Sequence, residues 1–97
     1  MASKVKQVKP SYVVVRTYSA GVHVGELVRR EGKEVELTFA RRIWSWKGAN
    51  TLHEIALGGV AAGSKVSEPV DSIVLTEAIE IIVATTRARE SLETVKW

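Results

Sequence analysis

The stretch "VHVGELVRREGKEVELTF", Val22–Phe39, decides the fold. Its end alternates cleanly: Val35, Leu37 and Phe39 fall on one face, and Glu34, Glu36 and Thr38 on the other. That period of two belongs to a strand with one buried side. Gly32 centres a turn in "REGKE", where its freedom of φ suits a tight reversal. Before the turn, Val22, Val24 and Val28 share a face, with His23, Leu27 and Arg29 opposite. Glu26 interrupts the apolar face, so this strand is expected to be bulged or at an edge. Upstream, "SYVVVRT" (Ser11–Thr17) is a β-branched run suited to a strand, joined to the next by "YSAG" (Tyr18–Gly21). Three strands follow one another as an antiparallel meander.

Downstream the character changes. Thr51 to Glu54 fits a capping box, in which the Thr hydroxyl and the Glu carboxylate satisfy free amides at a helix start. Leu52, Ile55 and Ala56 then face the core, and Gly58-Gly59 stops the helix after two turns. "AAGSKVSEP" (Ala61–Pro69) reads as a loop. "VDSIVLTEAIEIIVATT" (Val70–Thr86) has a helical face in Val74, Ala78, Ile79, Ile82 and Val83, but its density of β-branched residues disfavours a helix. Two short strands, Ser72–Leu75 and Ile79–Ala84, are expected instead. "RARESLETVKW" (Arg87–Trp97) forms a terminal helix or a tail that orders on a partner. The reading is therefore α+β: a small antiparallel sheet or partly open barrel of about five strands, with one short helix and a C-terminal helix or tail. Residues 1–10 form a basic arm, 11–86 a single β-rich domain, and 87–97 the terminal segment.

With 97 residues the chain makes one domain with a modest core, which self-association would help to stabilise. No apolar run approaches the ~20 residues of a membrane span, and "MASKVKQVKP" lacks the apolar segment of a secretory signal. A cytoplasmic protein without membrane contact is expected. There is no cysteine, hence no disulfide or thiolate metal site. His23 and His53 stand thirty residues apart in unlike contexts, so neither a zinc site nor any cofactor is expected. Nucleophile-elbow, phosphate-loop and dinucleotide signatures are missing. "LGGVAAGSK" has glycines without the spacing, and Glu77 and Glu80 point to opposite sides of a strand. A non-enzyme is expected. Residues 1–47 hold ten Lys/Arg against four Glu, a net of +6, and residues 48–97 hold four against seven acids, a net of −3. The basic half attracts anions, and the two halves can attract each other between subunits.

The candidate site is "ARRIWSWKGAN", Ala40–Asn50, which holds two of the three tryptophans. As an extended strand it places Arg42, Trp44 and Trp46 on one face and Arg41 and Ile43 on the other. Indoles stack on bases, and guanidinium groups grip phosphate in a bidentate fork. Lys47 adds charge beside Gly48, and Asn50 can read a base edge or a ribose hydroxyl. The competing reading is that the tryptophans fill the core and the arginines run past them to solvent. A second wall is offered by Tyr18, with Ser19 and the amides of Ala20 and Gly21 as a small anion nest, or by an ordinary hairpin turn there. Arg16 shares a face with Tyr12 and Val14, its head reaching the rim or pairing with a carboxylate. His23 is either a ligand contact or a half-exposed strand residue.

Taken together, "YVVVRTYSAGVHVGEL", "ARRIWSWKGANTL" and "LTEAIEII" resemble a family of roughly hundred-residue phage and prophage proteins, identified with the phage anti-Thoeris proteins. The resemblance spans about residues 11–84. It implies a non-catalytic dimer or hexamer in the cytoplasm of an infected or lysogenic host. Such a protein would sequester a cyclic ADP-ribose immune signal, with cyclic oligonucleotides at a further site. Arg16, Arg41, Arg42 and Lys47 would then face phosphates, and Trp44, Trp46 or Tyr18 the adenine. Trp97 and the terminal segment would contribute between subunits. Two other classes stay open: a nucleic-acid-binding accessory protein, and a structural protein with tryptophans buried at subunit contacts.

Overall fold

The structure, a computed structural model, describes residues 11–95. The basic arm and Trp97 lie outside them. Six strands and two helices run in the order β1 (Ser11–Thr17), β2 (Val22–Glu31), β3 (Glu34–Ser45), α1 (Leu52–Gly58), β4 (Lys65–Val66), β5 (Val70–Leu75), β6 (Ala78–Val83) and α2 (Thr86–Thr94). The fold is α+β, with one antiparallel sheet ordered β4-β3-β2-β1-β6 and β5 pairing with β3 alongside β4. The expected meander is β1–β3. The stretch read as a loop at Ala61–Pro69 contains β4, where Val66 pairs with Ile43. The next two strands begin at Val70 and Ala78, ahead of Ser72 and Ile79, and the described part of the terminal segment forms α2 over Thr86–Thr94.

Only Thr76 and Glu77 separate β5 from β6, yet these strands border β3 and β1 respectively. The sheet must curl to bring them together. Two backbone bonds hold the curl: Ala78 N–H donates to Lys33 O at the tip of the β2–β3 hairpin, and Tyr18 N–H donates to Glu77 O, each at 3.0 Å. No ladder joins β5 to β6, so the sheet stays open there.

Curling gives β1 two buried faces, which accounts for the uninterrupted Val13-Val14-Val15. Val13 and Val15 pack with Val35, Leu37, Ala40, Leu75 and Ala78 on one side. On the other, Tyr12 and Val14 meet Val24, Ile43 and Val66 with Ile55, Ala56 and Leu92 of the helices. Each valine, leucine or isoleucine among them contributes about 1.5–3 kcal/mol when fully buried.

The phase expected for β3 breaks at Phe39. Val35 and Leu37 are buried, but Phe39 is 62% exposed and Ala40 takes the interior place. Phe39 adopts φ +51°, and the β2–β3 register slips between Val24 and Glu26. An extra residue in one strand reverses the alternation beyond it. Gly25 makes room for this bulge, since a Cβ there would lie 3.0 Å from Thr38 O and 3.1 Å from Ala40 Cα. The interruption at Glu26 therefore marks a bulge in a central strand, and not an edge.

The helices begin on their caps. Thr51 Oγ1 accepts from Glu54 N–H at 3.3 Å, and the Glu54 carboxylate accepts from Asn50 N–H at 2.6 Å. Gly59, at φ +80°, ends α1 where a Cβ would lie 2.3 Å from Ser91 of α2. Thr85 caps α2 by accepting from Ala88 N–H and donates to Leu57 O, tying the two helices together. Among the described residues no helix is long and apolar enough to cross a membrane.

Candidate functional site

The segment Ala40–Asn50 is not one face. Beyond the bulge, Arg41 turns toward the helices and is buried. Its Nε donates to Ser67 O at 2.8 Å, Nη1 to Leu92 O at 2.8 Å and Glu93 O at 3.3 Å, and Nη2 to Val95 O at 2.6 Å. These carbonyls include the free ones at the end of α2, so the phosphate role expected of Arg41 is corrected: its donors hold a helix terminus. Arg42 and Trp44 remain exposed, Trp44 at 64%, with Lys65 Nζ 5.9 Å from its ring centroid. Trp46 parts from them. The β3–β4 register slips between Ile43 and Ser45, and Trp46 leans half-buried on the helix-side core. Lys47 donates its amide to Ser64 Oγ, and its stem lies against Gly63. Gly48 makes its close approach to Ala61, not to open space.

What the fold does assemble is a cleft of about 410 Å³ between β1, β6 and the start of α1. Arg16, Trp46, Asn50, His53 and Glu80 supply its polar and aromatic lining, with Val22 and Leu52 beneath. Arg16 and Glu80 are direct partners in the β1–β6 ladder, so their side chains leave the same face of the sheet. Arg16 is on the face of Tyr12 and Val14, as expected, and its head reaches the rim. His53 was passed over in the sequence because only a metal role was weighed for it. Its signal was its place in the first turn after a Thr cap, a few residues past Trp46. At this helix start Thr51 accepts from the Glu54 amide and the Glu54 carboxylate from the Asn50 amide.

Two other candidates lie elsewhere. Tyr18, 79% exposed, borders a cleft of about 700 Å³ with Arg30, Lys33, Glu77 and Ile79 at the closing point of the curl. Of the two readings offered beside it, anion nest or ordinary hairpin turn, the bonds there are those of a turn. Thr17 Oγ1 accepts from Ala20 N–H at 2.9 Å and donates to Gly21 O at 2.8 Å, and the Ser19 hydroxyl donates to Glu77. His23 is buried and its Nε2 is 2.9 Å from Ala20 O. Burial lowers its pKa below the ordinary 6.5, aided by the Arg42 cation and opposed by the Ala20 carbonyl. As a neutral ring it donates to that carbonyl, so its role as a ligand contact is corrected to one of holding the turn.

Residues 10–92 match a domain of unknown function, DUF6948. The chain belongs to this family. No curated protein and no solved structure matches it. The DUF6948 match takes in all six strands, α1 and most of α2, so the cleft lies wholly within it. In this DUF6948 domain the cleft offers an indole for a flat ring, a guanidinium for an anion, and an amide and a carboxylate for hydroxyls and amines. Its one hydroxyl, on Thr51, accepts from the helix backbone.

Proposed function

We propose that this protein is a non-catalytic binder of a small phosphate-containing nucleotide, seated in the Arg16–Trp46–Asn50 cleft. The observation that carries this reading is convergence. Three residues picked for nucleotide chemistry on two separate stretches of chain, Arg16 on β1 and Trp46 with Asn50 some thirty residues later, line one concavity, whose volume falls within the roughly 300–1,000 Å³ of small-molecule sites. The base stacks on Trp46 and Arg16 takes the phosphate. The resemblance to the anti-Thoeris proteins makes a cyclic ADP-ribose isomer the first ligand to test, sequestered by a homo-oligomer in the cytoplasm of the infected host. A sponge of this kind destroys nothing. It must bind more tightly than the host effector and be present in comparable amounts.

Native mass spectrometry of protein purified from a host expressing an active TIR enzyme is the test. A retained mass equal to a cyclic ADP-ribose, released intact on denaturation and lost in Arg16→Ala, supports sequestration. A clean apo protein from that host rejects this signal.

A second reading, single-stranded nucleic-acid binding, is favoured by exposed Arg42 and Trp44 flanked by Lys65. Stacking on an exposed indole beside cations suits such a strand. Its mark is an affinity for oligo-dT that falls steeply with salt and weakens in Trp44→Ala, with Arg16→Ala unaffected.

A further inference from the structure

The same cleft holds one carboxylate, and the nucleotide reading has so far given it no work. Glu80 sits directly opposite Arg16 in the β1–β6 ladder and lines the cleft with it. The ready explanation is that Glu80 neutralises Arg16. No ion pair links them. Among the described residues neither side chain has a hydrogen-bond or salt-bridge partner, whereas Arg29 and Arg89 each engage carboxylates. An uncommitted carboxylate beside a phosphate-binding cation repels the phosphate unless the ligand brings donors to it.

We propose that Glu80 is the ribose-reading residue of this cleft, its two carboxylate oxygens accepting the 2′- and 3′-hydroxyls, so that the site selects ribonucleotides over 2′-deoxyribonucleotides. This inference rests on the nucleotide reading above. An ionised carboxylate only accepts, and the vicinal diol is the part of a nucleotide that presents two adjacent O–H donors. Arg16 and Glu80, direct ladder partners lining the same cleft, set the anion-binding and the hydroxyl-accepting group side by side. A site that pairs a ligand hydroxyl discriminates against the analogue lacking it, because its own acceptor is left without a partner.

The test is calorimetric titration of the full chain with ADP and with 2′-deoxy-ADP, repeated on Glu80→Ala and Glu80→Gln. Glu80 is exposed, so both variants are expected to fold, and circular dichroism melts confirm this. The wild type is expected to prefer ADP by at least about tenfold. In Glu80→Ala that preference collapses, and 2′-deoxy-ADP binds at least as well as it binds the wild type, because a repulsion has gone. Equal affinities in the wild type, or a preference that survives in Glu80→Ala, overturn the assignment and leave the nucleotide site standing. If neither compound binds the wild type, the nucleotide reading of the cleft fails and this inference goes with it.

Discussion

Four backbone carbonyls accept from Arg41, three of them on the last turn of α2 or just past it. Arg41→Ala should cost about 3 kcal/mol, because it removes charge-assisted bonds and strands buried acceptors. Arg41→Lys should recover little, since one ammonium cannot span that set. Urea midpoints measure both, and an Arg41→Ala protein as stable as wild type would sink the account. His23 carries a pH dependence. Its pKa is lowered on folding, so below about pH 6.5 the unfolded chain takes up a proton that the native state refuses. Stability is therefore full above that pH and is lost as pH falls toward the depressed native value. Thermal melts between pH 7.5 and 5.5 should show the decline, and His23→Gln, which retains a donor for Ala20 O, should flatten it. At this scale the sequence was a poor guide. Arg41 and Arg42 read alike as letters, and only a change of strand phase decides that one is a structural clamp and the other is free.

That change belongs to β3. Phe39 holds a left-handed φ while largely exposed, and a β-branched residue is strained there. Phe39→Val should cost about 1 kcal/mol even though valine favours strands, and Phe39→Asn should be neutral or stabilising. Equal melting temperatures for the two variants would argue against the bulge. Element identities were largely legible. The meander announced itself by alternation, and α1 by its capping box and terminal glycines. The two late strands were visible in β-branched density. β4 was not, because two residues held by pairing with β3 leave no periodicity to read. The face of "ARRIWSWKGAN" was misjudged for a related reason: alternation was extended through Phe39 and past Ser45, where register slips at both points. Arg16 falls on the expected face with Tyr12 and Val14 because β1 keeps an unbroken register with β2.

Across the whole molecule, protection should follow the curl. β1 is paired on both edges and buried on both faces, so amides of Val13–Val15 should exchange only through global opening. Those of β4 and β5, each paired on one side, should exchange sooner through local opening. Hydrogen exchange followed by mass spectrometry resolves these segments, and faster exchange in β1 than in β5 would contradict the topology. The curl itself could be expected only as one of two options, since strand patterns do not say which edges meet. The Arg41 clamp has a consequence in time. Arg41 is the one Lys, Arg, Asp or Glu buried among the described residues, and its acceptors on α2 and beyond lie 51 to 54 positions later in the chain. At a translation rate of roughly 5–20 residues per second, those acceptors are made about 3–11 s after Arg41. The meander thus leaves the ribosome with its central charge unmatched, and the sheet stays provisional until the last helical turn has been synthesised.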